Sequence, residues 1–597
     1  MLRDKPPRVL KHGRELAVRG FDTETLNGYP KILCASDKYF TTVQDGTDAL
    51  SFLTQNRYRE TLNFWFNVQF DLDGIMKYLP SDLIRDFYKD GSTIFNGLEI
   101  SYIPGKMFKI SKHKNTWSYY DVNNFYEMSL EKAARDYIAG VKNEDNLDRA
   151  MIGTSRQYWL DNYDDIVKYC ISDAGLTAQL GEHLQETAKK AMGFFPTSYV
   201  SKANLSMQYF RSTCAIPDIT KISHNIQRYW YESYHGGRFE VTKRGKMGYC
   251  TNLDIKSAYP YEISKLIDIT KGTWKKTREC HPDAYYGVYL VKVRIPYMFL
   301  CPLAMTWHNS VIYPCGQWHA YLTKVELDAL PRQCSYNVIN GFEFWPSEIV
   351  YPFKDEIDHL FSLKNKAPKK SFEYSLYKIM LNSLYGKFYQ KIPTAGEKFK
   401  TGQLFNPIYA SMITAGTRVK LYQKALQYGE RAVSMATDGI LIEGEIDEDQ
   451  GKQLGEWEIE EAADTYILRS GIYAYGSEVK QRGVLASAHC NTPYGYFDNL
   501  FDYIRFYPGM REYPLISTRP YHMKEALTHD QDEFIELVNI FDEHEQTFNI
   551  NTDIKRIFDR TDLTGEDLVT KKINSKPHNF WLEPAEWHRP KRADRRR

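Results

Sequence analysis

The stretch Thr251–Pro260, TNLDIKSAYP, decides how the rest of the 597-residue chain is read. Asn252-Leu253-Asp254-Ile255 reads as the end of a strand. Lys256 and Ser257 begin a turn, and Tyr259-Pro260 closes it, because proline cannot donate to a ladder. A strand end of this kind holds the Asp254 carboxylate at a fixed place. Taken alone, an aspartate there is more often a turn-former than a metal ligand.

Two later stretches change that balance. Lys378-Ile-Met-Leu-Asn382-Ser383-Leu-Tyr385-Gly386 sets Lys378, Asn382 and Tyr385 at i, i+4 and i+7, one face of a helix. A cation on that face suits a triphosphate, and a ring near the helix end suits a base pair. The plain alternative is a solvated lysine on an amphipathic helix. In Ser434-Met-Ala436-Thr437-Asp438-Gly439-Ile-Leu-Ile442, a tight Thr-Asp-Gly turn leads into an apolar run, a hairpin with an acid at its tip.

In this order the three stretches resemble motifs A, B and C of the family B DNA polymerases, D-x-x-S-L-Y-P, K-x-x-x-N-S-x-Y-G and Y-x-D-T-D-S. The middle match fixes five residue types, which at roughly 5% per type arises by chance about once in a few million positions. The resemblance implies that Asp254 and Asp438 hold two magnesium ions about 3.5–4 Å apart, with manganese able to substitute. It implies that Tyr259 lies under the sugar of the incoming nucleotide, and that Lys378, Asn382 and Tyr385 bind that nucleotide. A helix expected over 353–370 offers Lys364 or Lys366 to the triphosphate; the same helix could carry both as solvated charge. Ala258 replaces a leucine, Ala436 the first aspartate of motif C, and Gly439 its serine. The lost aspartate puts metal affinity and choice at issue.

Upstream, Phe21-Asp22-Thr23-Glu24-Thr25 puts two acids on alternate strand positions, so both project from one face. Asn63-Phe-Trp-Phe-Asn67-Val-Gln-Phe70-Asp71 and Tyr169-Cys-Ile-Ser-Asp173 follow. On a helix, Tyr169 and Asp173 lie one turn apart; an ordinary exposed helix is the plain alternative. The three resemble, in order, the D-x-E, N-x-x-x-D and Y-x-x-x-D motifs of the family's 3′–5′ exonuclease. The resemblance implies two metals among Asp22, Glu24, Asp71 and Asp173, with Tyr169 orienting the attacking water. Asn67 and Phe70 would hold the frayed primer end, and Lys142 stands where a lysine assists the protein-primed members.

Tyr234-His-Gly236-Gly237-Arg238, just before motif A, resembles the family's Y-x-G-G loop, implied to bind primer–template DNA. Its glycines permit close backbone approach to a phosphate that Tyr234 and Arg238 can also contact; a plain Gly-Gly turn is the alternative. Leu468-Arg469-Ser-Gly471-Ile-Tyr473 resembles the K-x-Y region. Tyr473 is kept, Gly471 takes the lysine's place, and Arg469, Lys480 or Arg482 is left to supply the charge for primer binding.

Composition sets the bounds. Hydrophobic residues at 43% and charged ones at 26% describe a globular chain long enough for several domains. A net charge of +1 means that any DNA channel is local and balanced by acid elsewhere. Nine cysteines without a C-x-x-C pair argue for reduced thiols and against a zinc site. No signal-peptide pattern or bilayer-length apolar run is present, so the expected place of action is the cytoplasm, that of a host cell if the gene is viral or plasmid-borne.

The expected fold class is α/β multidomain: a ribonuclease-H-like 3′–5′ exonuclease domain, then the palm, fingers and thumb of a right hand. The expected layout is exonuclease 1–190, a linker with the Y-x-G-G loop 191–240, palm with a first insertion resembling the terminal-protein region 241–350, and fingers with a shortened second insertion 351–405. Palm resumes over 406–520, and 521–597 form the thumb and a basic tail. The tail WHRPKRADRRR is either a solvated end or a contact to duplex phosphates. The chain is thus expected to be a proofreading DNA-directed DNA polymerase, most similar to the protein-primed phage and linear-plasmid branch. Its expected partners are primer–template DNA and dNTPs, with priming left open between an ordinary primer and the hydroxyl of a terminal protein, and no membrane. Two other readings stand beside it. Ala436 and Gly471 favour a nuclease with a decayed, DNA-binding polymerase half. A primer-making RNA polymerase is opposed by Tyr259, whose ring would clash with a 2′-hydroxyl.

Overall fold

The structure is a computed structural model that describes residues 5–7, 9–140, 147–394, 398–484, 490–528 and 534–581. Lys142 and the basic tail lie outside the described residues.

An eight-stranded sheet organises the N-terminal unit. Strand β1 (Val18–Leu26) pairs antiparallel with Tyr29–Ala35 and parallel with β2 (Leu62–Trp65), which runs parallel to Asn115–Asp121. Helix α1 (Val68–Met76) follows β2 through Asn67, whose φ of 67° turns the chain sharply out of the strand. The long helix α2 (Arg156–Met192) packs on β1. Gly20 permits that approach, since a Cβ there would sit 1.9 Å from the Ala174 carbonyl oxygen. This mixed α/β layout is the one expected of a ribonuclease-H-like unit.

The central unit is built from β3 (Phe239–Val241), β4 (Lys243–Ile255), α3 (Ala258–Ser264), α4 (Lys354–Lys366), α5 (Phe372–Phe388), α6 (Pro407–Tyr428), β5 (Ala432–Ala436), β6 (Gly439–Glu443), β7 (Trp457–Arg469) and β8 (Ile472–Tyr475). Its antiparallel sheet runs Glu478–Gln481, β8, β7, β4, β6, β5, β3. Asp254 pairs with Gly439 on one side and Glu458 on the other. Gly439 pairs with Ala436, and Ala436 with Phe239. Directly paired residues project to one face, so Phe239, Ala436, Gly439, Asp254 and Glu458 form one row across five strands. Helices α4 and α5 pack on each other, and Ser371 caps α5 by accepting the Tyr374 amide. Asn406 caps α6, whose first residue is Pro407.

The stretch expected as a linker is packed structure instead. Its helix Lys202–Thr213 buries Leu205 and Phe210 in a core shared by Phe64, Leu184, Met380 and Ile413, and Ser206 Oγ donates to the Met380 carbonyl. That core joins the N-terminal unit to the central helices. The first insertion supplies four strands of a five-stranded sheet, whose fifth, edge strand is Asn579–Trp581, lying parallel to Cys315–Thr323. Among its described residues the second insertion contains the short hairpin Lys391–Thr394 with Lys398–Thr401.

Near the C-terminus, β9 (Glu512–Pro520) and β10 (Phe541–Asn549) pair along their whole length within a four-stranded sheet. The boundary expected at 520 therefore falls inside one hairpin. Between these strands the chain crosses to the N-terminal unit, where Met523, Ala526, Phe534 and Val538 enter its core. Among the described residues, no helix is long and apolar enough to cross a membrane.

Candidate active sites

The first site forms where β4 ends beside the β5–β6 turn. The Ile255 amide donates to the Asp438 carbonyl at 2.9 Å, which ties the two acidic segments together. Thr437, at the turn's centre, has φ 63°, a strained conformation for a β-branched residue. The Asp438 amide closes back on the Ala436 carbonyl at 2.7 Å, so the turn presents Asp438 beside Asp254.

The electrostatics follow from that proximity. Burial first, and then the Asp438 charge, pushes Asp254 up to about 8. Burial raises Asp438 as well, and Lys378 opposes both shifts. Lys378 of α5 therefore faces the acid pair. Two half-buried carboxylates that disfavour each other's ionisation are a site short of positive charge. Their all-oxygen donor set suits a hard divalent cation held jointly with substrate phosphates.

Rings and further cations surround the pair. Tyr259 of α3 packs on Tyr385 of α5 with centroids 4.0 Å apart, and Asn382 lies one turn before Tyr385. Lys364 Nζ donates to Ser257 Oγ at 3.0 Å, which brings α4 to the turn after β4. Lys366, two residues on, is exposed and borders a cleft lined also by Tyr261 and Lys265.

The Tyr234–Arg238 loop closes the site from below. Tyr234 stacks on Tyr389 at 3.7 Å. A Cβ on Gly237 would stand 2.8 Å from the Tyr259 hydroxyl, so glycine is what allows the loop to back that ring. A Cβ on Gly236 would meet nothing within 4 Å. Arg418 of α6 donates to the carbonyls of His235 and Gly236 and pairs with buried Glu326 at 2.6 Å. Arg238 is a correction. It is fully buried and paired with Glu240, which also holds Arg556, so it is unavailable to a phosphate.

At the K-x-Y region, Tyr473 of β8 lies in the field of Asp254 and Glu460. Arg469 is a second correction: it donates to Thr552 Oγ1 and lies over Phe548, facing the C-terminal sheet. Arg482 takes the space over Gly471, where a Cβ would meet its Cδ at 3.1 Å, and lies over Phe239. Arg418 and Tyr389 escaped the sequence reading. The one available signal was a lone arginine among small residues in SMITAGTRVKLY.

The second site lies on β1. Asp22, Glu24 and Cys170 bring ligand atoms within 4.8 Å of one another. Tyr169 and Asp173 flank Cys170 on α2, both buried. Asp71 of α1 lies apart from that tight group, accepting from Thr23 Oγ1 at 2.5 Å. Burial pushes Asp71 up to about 7 against that hydrogen bond. Asp121 caps the start of α1 by accepting from the Asn67 and Val68 amides. Asn67 is exposed, and Phe70 is half-buried one turn on.

Asp254 and Asp438 thus stand together where the central antiparallel sheet meets helices α3 and α5, in a chain that opens with a mixed α/β unit. The family of DNA polymerase type B, organellar and viral, matches residues 104–419. The chain belongs to that family, whose members use divalent metal ions. A probable DNA polymerase of Neurospora intermedia is 25% identical over 369 residues, 51% of this chain and 37% of that protein. A DNA polymerase of Acidianus bottle-shaped virus is 27% identical over 259 residues, 40% of this chain and 37% of its own length. The chain thus spans little more than a third of either relative. Phi29 DNA polymerase, solved with primer–template DNA and incoming nucleotide, shares the fold: the TM-score is 0.61 at 17% identity, covering 90% of this chain and 100% of that one.

Proposed function

We propose that the chain is a DNA-directed DNA polymerase with a 3′–5′ proofreading nuclease, replicating a phage or linear-plasmid genome in the cytoplasm of its host. The observation that carries this reading is the convergence of Asp254 and Asp438 under Lys378, beside the Tyr259–Tyr385 ring pair. In this reading residues 1–190 are the exonuclease, β3–β8 with α6 the palm, α4 and α5 the fingers, and the sheet of β9 and β10 the thumb. Asp254 and Asp438 hold magnesium, which when bound offsets charge on the primer 3′-oxygen and the leaving pyrophosphate. Lys378 and Lys364 receive the triphosphate of a dNTP, Asn382 and Tyr385 border the nascent pair, and Tyr259 excludes a 2′-hydroxyl. Tyr234, Gly236 and Gly237 line the primer–template path, joined by Tyr473.

In the nuclease, Asp22, Glu24, Asp71 and Asp173 share the metal load, and Tyr169 orients water. Asn67 and Phe70 hold the 3′ end. Asp71, hydrogen-bonded to Thr23 Oγ1, would be the member of the set supplied by α1. A terminal protein supplies the priming hydroxyl, in keeping with the branch that the first insertion resembles.

The two chemistries use separate residues, so they separate by mutation. Asp22→Ala with Asp71→Ala removes degradation of a single-stranded 3′ end and leaves extension of a paired primer intact. Equal loss of extension in a folded variant contradicts the two-site assignment.

A further inference from the structure

The nuclease helix α1 is gripped from outside its own unit. The Asn539 side-chain amide donates to the Phe70 carbonyl at 2.8 Å. The Met523 amide donates to the Asp73 carboxylate at 3.0 Å, and Lys77 Nζ donates to the Val538 carbonyl at 3.0 Å. Gly74 leaves room for this: a Cβ there would lie 3.1 Å from the Pro30 ring and 3.3 Å from Asn539 Nδ2. Positions 70, 73, 74 and 77 are i, i+3, i+4 and i+7, one stripe of the helix. The whole stripe faces the segment that leaves the β9–β10 hairpin. Met523, Phe534 and Val538 are buried in the N-terminal core, and Arg85 lies over Phe534.

The contact is built, not incidental. Asp73 is fully buried and also takes hydrogen bonds from Gln69 and Tyr88. Asn539 has φ 63°, a left-handed conformation that asparagine tolerates and most residues do not. Lys77 is buried too, and its amine spans the two units by donating to Asn27 and Val538 carbonyls. Asn67 meanwhile remains exposed beside a cleft of about 700 Å3 that His522, Lys524 and Glu525 help to line. Docking thus fixes the helix backbone and leaves open the side chain assigned to the primer end.

We infer that the thumb segment at residues 521–528 and 534–541 positions the proofreading helix, with Asn539 as the positioning residue that fixes the Phe70 carbonyl. This rests on the nuclease reading of the site. Phe70 and Asp71 are adjacent, so holding the Phe70 carbonyl sets where the primer-holding ring and the acid stand. The contact therefore ties where that ring and that acid stand to the segment between β9 and β10.

Asn539→Asp tests the inference, because it keeps the shape and the tolerated φ and removes the donor. Gly74→Ala pushes on the same seam from the other side. The full chain is assayed on a labelled single-stranded oligonucleotide and on a matched primer–template, with hydrogen exchange read over α1. Both variants are expected to raise the KM for single-stranded 3′ ends roughly three- to tenfold, the scale of one lost hydrogen bond. Excision kcat changes less, α1 amides exchange faster, and extension of the matched primer stays at the wild-type rate. An active wild type with unchanged KM and exchange in Asn539→Asp overturns the positioning role alone. Loss of extension and excision together overturns it too. A wild-type chain that binds the oligonucleotide and never shortens it overturns the nuclease reading, and the positioning role with it.

Discussion

Tyr259 is held between neighbours: its ring leans on Tyr385 and its hydroxyl lies over Gly237, and burial first, then Tyr385 and Asp438, raise its pKa. A ring fixed this firmly is a rigid wall. Tyr259→Val removes the wall and is expected to increase ribonucleotide incorporation in a dNTP/NTP competition, at a folding cost of about 0.5–1.5 kcal/mol from the lost ring pair beyond its buried area. Unchanged discrimination removes Tyr259 from that role. At this scale the sequence was informative where chemistry needs one residue type at one spacing, as at Asp254, Lys378 and Asp438. It misled at Arg238, where a cation after two glycines resembles a phosphate ligand. Burial decided otherwise. Glu240 follows two residues later, and the pair neutralise each other inside the protein, with Arg556 as a second cation. The same blindness hid Arg418, whose worth lies in a buried acid and two carbonyls contributed by distant segments.

Among elements, the row across β3, β5, β6, β4 and β7 shows where the motif C substitutions stand relative to Asp254. Ala436 stands two strands from Asp254, or about 10 Å at ~4.8 Å per strand. Glu458, adjacent to Asp254 on the other side, keeps negative charge in the row and pairs with Lys256 at 2.6 Å. Gly439 leaves space, since a Cβ there would lie 3.2 Å from the Asp254 carboxylate. An aspartate restored at 436 adds a charge on the metal-binding face. Ala436→Asp is expected to lower the magnesium needed for half-maximal extension by roughly threefold to tenfold at moderate salt. A magnesium titration that does not move, or moves upward, contradicts this use of the row. Strand β1 was legible from its alternating acids and helix α5 from the i, i+4, i+7 spacing of Lys378, Asn382 and Tyr385. The pairing that sets Glu458 beside Asp254 was not, because register across two hundred residues leaves no local signature.

For the whole molecule, the order of units followed from the order of motifs, while their joints did not. The helix Lys202–Thr213 reads as a connection and proves to be core, because its apolar face finds partners on α5 rather than within its own neighbourhood. The thumb segment reads as part of a terminal domain and instead grips α1, some 450 residues earlier. Both depend on tertiary burial of faces whose local sequence is ordinary. These joints link the two candidate sites, and in the proposed function synthesis rests on the acid pair. The measurement that bears on it most directly is extension of a matched primer–template by the wild-type chain and by Asp438→Ala, in magnesium and in manganese, with excision of a single-stranded 3′ end followed in parallel. The wild type is expected to extend in both metals. Asp438→Ala should lose several orders of magnitude of extension, because one metal is worth several kcal/mol and each ~1.4 kcal/mol is tenfold in rate, while excision persists. A wild-type chain that binds and degrades primer–template yet extends it in neither metal, or an Asp438→Ala variant that extends normally, would contradict the account.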